Sequence, residues 1–253
     1  MNLGASPAGV EPGNEAEISR RIREMFGRIA PRYDLLNHLL SMRIDVRWRK
    51  ALVRRVRDYL QRPETRWMDA CCGTGDLLIA LETERRRLGL SGARSGLGSD
   101  FCRPMLSSAR EKLQRERIAS GLLEADALAL PLPDGSLDLI TIAYGFRNLA
   151  NYRRGIEEMH RLLAPGGCLA ILEFSHPKSR LLAPAFGFYF RHVLPRVGNT
   201  ISNSDGAYSY LQQSVARFPG PEELAEDLRN CGFPRVDYFP LTGGISVLHL
   251  AYR

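Results

Sequence analysis

The stretch Trp67-Met68-Asp69-Ala70-Cys71-Cys72-Gly73-Thr74-Gly75-Asp76-Leu77 joins an apolar segment to a Gly-x-Gly turn and then to a helical pattern. A strand that enters a glycine turn and opens a helix is typical of the place where an α/β sheet binds a nucleotide-like ligand. Glycine lets the backbone approach a ligand closely, and the first N–H groups of the helix have no partner within it. Gly73 and Gly75 therefore predict a binding loop, although a Gly-x-Gly pair alone is a weak indicator.

From this stretch to the C-terminus, strand-like and helical segments alternate. The predicted strands are 66–70, 96–100, 122–125, 137–143, 167–174, 235–239 and 246–252, and the predicted helices are 76–87, 104–115, 152–163 and 221–231. Such alternation is typical of an α/β domain with a mostly parallel sheet. The last two strands are joined by a link too short for a helical crossover, so they should pair antiparallel. We predict a doubly wound, seven-stranded sheet with one reversed strand.

The chain divides into three predicted parts. Residues 1–17 are rich in Gly, Pro, Ala and Glu without periodicity, which predicts a flexible tail. Residues 18–62 carry two helical apolar stripes separated at Pro31 and are predicted to form a helical lid. Residues 63–253 form the main domain, in which a polar and aromatic insertion at 175–215 interrupts the alternation.

Composition excludes several classes of protein. The 253 residues are 44% hydrophobic and 25% charged, which indicates a globular domain rather than a disordered or fibrous chain. No apolar run approaches the ~18 residues of a membrane span, and the N-terminus lacks the pattern of a secretion signal, so we expect a cytoplasmic protein. The five cysteines show no C-x-x-C pair and no metal-ligand spacing, which favours buried thiols over disulfides or zinc. No metal site is predicted.

The net charge of +7 is unevenly placed, since residues 20–66 hold 14 Lys and Arg against 5 Asp and Glu. Such a segment can serve nucleic acid, an anionic membrane or an anionic ligand, or it can be a solvated helix face. No alternation of aromatic and basic residues and no RNA-binding module accompanies it, which argues against nucleic acid. We expect transient, peripheral contact with an anionic membrane surface.

Two ligands compete for the glycine loop: a dinucleotide and adenosylmethionine. A dinucleotide site requires Gly or Ala three positions after Gly75, where this chain has Leu78. Asp76 stands at the start of the helix, where its charge would repel a pyrophosphate but not a cationic sulfonium. Both observations favour adenosylmethionine.

Acidic residues at successive strand ends support the same choice. Asp100 ends the second strand, where it can accept hydrogen bonds from ribose hydroxyls, and Asp126-Ala127 follow the third, near an adenine amine. Asp69 can orient the loop or meet the methionine amino group. Any one of these residues alone is better explained as a helix cap or a solvated turn. The ordered set favours adenosylmethionine.

Several motifs occur together along the chain. They are Phe26 and Ala30 with Tyr33-Asp34-Leu35-Leu36-Asn37, Ser41 and Trp48; Asp69 with Gly73-Thr74-Gly75-Asp76; Ala125-Asp126-Ala127 with Leu130-Pro131 and Pro133-Asp134; Tyr144-Gly145-Phe146-Arg147-Asn148; Arg161-Leu162-Leu163-Ala164-Pro165-Gly166-Gly167; Leu172-Glu173-Phe174-Ser175-His176-Pro177; and Tyr208-x-Tyr210-Leu211, Phe218-Pro219 and Leu241-Thr242-Gly243-Gly244. In these motifs, from about Ile18 onward, the chain resembles the adenosylmethionine-dependent methyltransferases that C-methylate ubiquinone and menaquinone precursors.

The resemblance implies a class I, Rossmann-like methyltransferase that uses S-adenosyl-L-methionine and no metal. It assigns cofactor contacts to Thr74, Asp100, Asp126, Ala127 and Ala143. It implies C-methylation of a prenylated quinol, with demethylmenaquinol favoured and a benzoquinol, or another small molecule on the same fold, as the alternatives. The chain departs from the family at Arg43, often Gly; at Ala143, often Ser; and at Ala164, usually Lys. A homodimer is compatible with the sequence.

The chemistry requires a group that promotes ionisation of a ring hydroxyl, because the resulting negative charge makes the neighbouring ring carbon nucleophilic. Arg147, just past the fourth strand, can lower the pKa of that hydroxyl or hold a water that takes its proton, and a structural ion pair is the equally weighted alternative. His176 is the alternative base. Tyr33 or Phe26 can face the sulfonium by cation–π contact, although core packing is the simpler role for Phe26. The insertion would supply an apolar wall for the prenyl tail.

Overall fold

Seven strands form one sheet in the computed structural model, which describes residues 14–34, 41, 43–91, 93–175 and 207–253. The strands are β1 Trp67–Ala70, β2 Leu97–Asp100, β3 Gly121–Glu124, β4 Leu137–Ala143, β5 Leu163–Phe174, β6 Arg235–Leu241 and β7 Ser246–Tyr252. Their order across the sheet is β3-β2-β1-β4-β5-β7-β6, and β7 runs antiparallel to both neighbours. The doubly wound sheet with one reversed strand is thereby confirmed.

The described helices flank the sheet or precede it. They are α1 Glu15–Ile29, α2 Ile44–Arg55, α3 Arg57–Leu60, α4 Asp76–Arg87, α5 Arg103–Arg115, α6 Tyr152–Leu162, α7 Ala207–Arg217 and α8 Pro221–Asn230. One large apolar cluster joins β4 and β5 to α6 and α8, and a second joins α2, α3 and α4 to β1 and β5. The sheet is therefore covered on both faces, as parallel strands require.

The strand order fixes where a ligand can bind. From β1 the chain proceeds outward through β2 to β3, and it then returns to the other side of β1 through β4. In an open α/β sheet, ligands bind beyond the carboxyl ends of the strands at the point where the direction of winding changes. That point here lies between β1 and β4, which pair in parallel through Trp67 and Leu139, Met68 and Ile140, and Asp69 and Thr141.

Some element boundaries differ from the prediction. Helix α1 begins at Glu15 rather than near Ile18, because Glu15 binds Asn151 and Arg154 on the main domain and so orders the last residues of the predicted tail. Strand β5 begins at Leu163, four residues early, with a register shift where it pairs with Leu137 and Leu139. The predicted insertion ends inside α7. His176 and the aromatic run 181–190 lie outside the described residues.

The N-terminal segment packs on the main domain through aromatic and cationic side chains. The indole Nε1 of Trp48 donates a hydrogen bond to the Thr242 hydroxyl at 2.8 Å, which ties α2 to the turn between β6 and β7. The Arg55 guanidinium lies 3.5 Å from the centre of the Phe239 ring.

None of the described helices is long and apolar enough to cross a membrane.

Candidate active site

A cavity opens at the carboxyl edge of the sheet, where β1 and β4 meet. It encloses about 950 Å³ of empty space, its open mouth included. Residues of the loops after β1, β2, β3 and β4 line it, and the N-terminal segment adds Ser19, Phe26, Tyr33 and Arg49. The cavity therefore occupies the position that the strand order predicts.

Two strained residues mark the ends of the strands beside this cavity. Cys71, after β1, and Tyr144, after β4, both have positive φ, at 52° and 60°. Residues other than glycine seldom adopt this conformation, and when they do they cluster at functional sites. The loops also touch closely, because a Cβ added to Gly145 would lie 2.4 Å from the Cβ of Cys71. Only glycine fits at position 145 without displacing the cavity wall.

Two acidic side chains are buried in the cavity wall and are in contact with no cation among the described residues. Asp69 accepts a hydrogen bond from the Thr141 hydroxyl at 2.7 Å, and burial raises its pKa to about 7. Asp100 accepts from the backbone N–H groups of Gly73 at 2.9 Å and Cys102 at 2.8 Å, and burial raises its pKa to about 6. A buried carboxyl group with a raised pKa at a cavity favours a cationic or hydrogen-bond-donating ligand.

The end of the cavity beyond β2 and β3 suits a flat, partly apolar ring. Phe101, Met105, Ala127 and Leu149 line it. Asp126 stands beside them, and its Oδ1 accepts a hydrogen bond from the Leu128 N–H at 3.0 Å. Asp126 therefore caps a turn, which is the role that the sequence favours for each of these aspartates taken alone. It also lines the cavity.

A cluster of charges joins the N-terminal segment to the glycine loop. The Lys112 ammonium lies 2.5 Å from Asp34 Oδ2 and 2.6 Å from Asp76 Oδ1, and it donates to the Thr74 hydroxyl at 3.0 Å. Thr74 in turn donates to Asp34 at 2.6 Å. Asp76 also lies 3.1 Å from Arg49. The charge of Asp76 is thus neutralised by two cations, so the argument that Asp76 would repel a pyrophosphate does not hold.

Arg147 forms a buried ion pair. Its Nη1 donates to Glu173 Oε1 at 2.7 Å and to the Tyr144 carbonyl at 2.6 Å, and its backbone N–H donates to Glu173 Oε2 at 3.2 Å. Burial lowers the pKa of Arg147, but Glu173, Tyr33 and Tyr210 together more than offset that effect, so the pKa is raised overall. Arg147 is absent from the cavity wall, whereas Gly145 and Asn148 on either side belong to it. The structural ion pair, one of the two roles that the sequence suggests for Arg147, is therefore present.

Aromatic rings line the part of the cavity that faces β4 and the N-terminal segment. Tyr144 lies 4.7 Å from Phe174 and 6.2 Å from Trp48, centre to centre, and its hydroxyl is 3.4 Å from that of Ser246. Tyr33 packs edge-on against Phe26 at 6.0 Å. Tyr33 and Tyr144 both line the cavity, so a planar substrate would meet ring faces and edges here.

Most of the predicted site residues come together. Of the predicted cofactor residues, the cavity is lined by Asp69, Gly73, Thr74, Asp100, Asp126, Ala127 and Ala143. Gly75 lies behind the wall, where it precedes α4 with φ 83° and a Cβ would lie 3.2 Å from that of Ala109. Sequence reasoning missed Arg49, Lys112 and Phe101. Of these, Arg49 carried a local indication, since it stands four positions after Asp45 on one helix.

The sequence of the whole described chain matches one family. The ubiE/COQ5 methyltransferase family matches residues 14–253. The chain belongs to this family. Among curated members, demethylmenaquinone methyltransferase of Thermus thermophilus is 46% identical over 90% of this chain and 100% of its own length. The enzyme of the same name from Deinococcus radiodurans is 44% identical over 92% of this chain and 93% of its own.

Solved structures agree on the fold. A methyltransferase of Thermotoga maritima, described as adenosylmethionine-dependent and as a possible histamine N-methyltransferase, has a TM-score of 0.61 at 18% identity, covering 91% of this chain and 99% of that one. An adenosylmethionine-dependent methyltransferase of Aquifex aeolicus has a TM-score of 0.55 at 17% identity, covering 79% and 87%. The class I, Rossmann-like methyltransferase fold is confirmed. Within the described residues no three His, Cys, Asp or Glu side chains form a metal-binding group.

Proposed function

We propose that this methyltransferase transfers the methyl group of S-adenosyl-L-methionine to a ring carbon of demethylmenaquinol, a prenylated naphthoquinol. The observation that carries the proposal is the pair of buried acids, Asp69 and Asp100, which face one cavity at the ends of adjacent strands without a cation in contact. The names of the relatives from Thermus and Deinococcus support the choice of substrate.

The residues of the cavity fit adenosylmethionine along the direction of the sheet. Asp126, Asp100, Asp69 and Ala143 stand at the ends of β3, β2, β1 and β4 in that spatial order. Three strand spacings of ~4.8 Å extend over roughly 14 Å. Adenine is then placed beside Phe101 and Asp126, the ribose beside Asp100, and the amino-acid part beside Asp69.

When bound, adenosylmethionine supplies an electrophilic methyl group. The chain has to orient the ring carbon toward that methyl, exclude water and favour ionisation of the neighbouring hydroxyl. Tyr33, which lines the cavity, would face the sulfonium and stabilise its charge by a cation–π contact. Arg147, whose Nη1 is held by Glu173, is the group we assign to promote ionisation of the substrate hydroxyl. His176 remains the alternative base.

A labelled-methyl transfer assay tests the proposal directly. Reduced demethylmenaquinone and a reduced demethylated benzoquinone, each with a short prenyl tail, are offered with radiolabelled adenosylmethionine. The expected result is faster labelling of the naphthoquinol. Faster labelling of the benzoquinol would assign the chain to ubiquinone synthesis instead. Labelling of neither would overturn C-methylation of a quinol.

We also propose that the basic face of α2 touches an anionic membrane, from which a prenylated quinol must be drawn. Arg47, Lys50 and Arg54 are exposed at helical spacing on this face. Arg49, which stands in the same basic segment 20–66, does not belong to the face, because its side chain is only 12% exposed and contacts Asp45 and Asp76. A homodimer and a cytoplasmic location stay predictions.

The salt dependence of vesicle binding distinguishes an electrostatic contact from hydrophobic adsorption. Each Lys or Arg near an anionic leaflet contributes up to about 1 kcal/mol, and the Debye length falls from ~10 Å at 0.1 M salt to ~3 Å at 1 M. Sedimentation with anionic vesicles should occur at low salt and be lost when Arg47, Lys50 and Arg54 are replaced by Gln. Activity on a short-tailed quinol in solution should persist. Vesicle binding that changes neither with salt nor with these substitutions would show that the basic face is exposed to solvent and does not contact the membrane.

A further inference from the structure

We propose that Arg49 binds the carboxylate of the amino-acid part of adenosylmethionine, so that the N-terminal segment completes the cofactor site. This inference rests on the proposed function, because it concerns one group of the same ligand. Arg49 lies on α2, outside the strand-and-loop framework that carries the other cofactor residues.

The charges of the cavity wall support this assignment. Among the described residues that line the cavity, the acids are Asp69, Asp76, Asp100 and Asp126, and Arg49 is the one Lys or Arg. Adenosylmethionine carries two positive groups, the sulfonium and the ammonium, and a single negative one, the carboxylate. A wall with several acids and one cation is complementary to that pattern of charges.

The guanidinium is also in the right part of the cavity. It lies 3.1 Å from Asp76, which opens α4 directly after the glycine turn. It is also near Asp69 and Tyr144, since its charge acts to lower the pKa of both groups against the larger, opposite effect of burial. Arg49 therefore lies over the ends of β1 and β4, opposite the nucleoside end at Asp126 and Phe101.

Arg49 has hydrogen-bond donors to spare. Its Nη2 atom makes both of its ionic contacts, at 2.5 Å to Asp45 and 3.1 Å to Asp76. Neither Nη1 nor Nε donates a hydrogen bond to any part of the chain that the structure describes. A guanidinium offers five N–H donors, and two of them side by side match a carboxylate.

The other nearby cation cannot take this role. Lys112 has three N–H donors, and these are directed at Asp34, Asp76 and the Thr74 hydroxyl. It also lies outside the residues that line the cavity. Lys112 therefore fastens the glycine loop to Asp34, which leaves Arg49 to face the ligand.

Calorimetry with two ligands tests the assignment without relying on turnover. Adenosylhomocysteine carries the carboxylate, and decarboxylated adenosylhomocysteine lacks it but keeps the amino group. The wild-type protein should prefer the first ligand by on the order of ten- to one-hundred-fold, the range of a charge-assisted hydrogen bond. In Arg49→Met that preference should shrink to within a few-fold of unity. The matched control is Arg47→Met, two residues away and exposed, which should keep the full preference.

Because both ligands are measured on the same variant, a general loss of stability would lower both affinities alike and leave their ratio unchanged. As a second variant, Asp45→Asn with Arg49→Met avoids leaving the buried carboxylate of Asp45 without its cation. An Arg49→Met protein that keeps the wild-type preference would overturn the role of Arg49 and leave the proposed function standing. A wild-type protein that binds neither ligand would overturn both.

Discussion

The two sides of the cavity are held together in different ways. Beyond β1, β2 and β3, carboxylates accept hydrogen bonds from backbone groups close in the chain, as Asp100 does from Cys102 and Asp126 from Leu128. Beyond β4 and β5, contacts join distant residues, with Trp48 and Thr242 separated by 194 positions and Tyr144 and Ser246 by 102. The nucleoside side therefore depends partly on local turns, although Asp100 also accepts from Gly73, 27 positions away. The side we assign to the substrate depends on tertiary packing.

The largest effect is expected on the nucleoside side. Asp100→Ala should abolish most adenosylmethionine binding, because two hydrogen bonds from ribose hydroxyls to a charged acceptor vanish, worth about 1.5–3 kcal/mol each. The same change also frees the N–H groups of Gly73 and Cys102. Asp100→Asn keeps an acceptor and should lose less.

Calorimetry measures this effect, with Asp58→Ala as the control on an exposed acid. Unchanged affinity in Asp100→Ala would remove the ribose assignment. Tighter binding of NADH than of adenosylmethionine by the wild-type protein would remove the cofactor assignment altogether.

On the other side, Arg147→Lys should lower turnover while cofactor affinity stays nearly intact, because lysine keeps the charge but loses the planar guanidinium whose Nη1 donates to Glu173. Glu173→Gln should cost about 3–5 kcal/mol of stability, since it leaves a buried cation without its partner. Steady-state kinetics with a saturating short-tailed quinol, together with urea unfolding, separate the two roles. Normal turnover in Arg147→Lys would make Arg147 purely structural, and His176→Gln would be the next variant.

The difference between the two sides also explains how far the sequence could predict the site. Asp69, Gly73, Thr74 and Asp100 were found because each has a fixed place relative to a strand end, and the strand order brings those ends to one edge of the sheet. For Arg49 the sequence indicates only membership of the basic segment 20–66, because the packing of α2 against α4 and β5 is what shows that it points inward.

Other differences have the same cause. The early start of α1 depends on Glu15 meeting Asn151, 136 positions away. The neutralisation of Asp76 depends on Lys112 and Arg49, which come from two other helices. Arg147 illustrates the limit most clearly, since its position after β4 indicated the cavity edge but could not distinguish an ion pair from a group facing the substrate.

The next variant tests the contact between the loops after β1 and β4, where the two sides of the cavity meet. Gly145→Ala should destabilise the protein by about 1–3 kcal/mol, because its Cβ would lie 2.4 Å from that of Cys71 and overpacking costs this much. Cofactor affinity should fall as well, since both residues line the cavity. Gly220→Ala is the matched control, because no atom lies within 4 Å of the added Cβ. Equal stability of the two variants would show that the loops after β1 and β4 can separate freely.

The last prediction concerns the proton of Asp69. Burial raises its pKa from 3.8 to about 7, so the folded protein holds this proton more tightly than the unfolded chain. Asp69 therefore stabilises the fold least at high pH, and its contribution declines as the pH rises between about 4 and 7, by at most about 1.4 kcal/mol per pH unit. Asp69→Asn keeps the acceptor for Thr141 and removes the titrating group. Its free energy of unfolding, measured in urea, should therefore rise relative to that of the wild type from pH 5 to pH 8. Asp58→Asn, on an exposed acid, is the control variant.

A cationic ligand reverses the preference of Asp69 for its proton, because the ligand favours the ionised carboxylate. Adenosylmethionine should then bind more tightly to the wild type as the pH rises through 6 and 7, with release of a proton that calorimetry detects in buffers of different ionisation enthalpy. A binding constant that does not change over that range, in both the wild type and Asp69→Asn, would show that the ligand's charge is met elsewhere in the cavity.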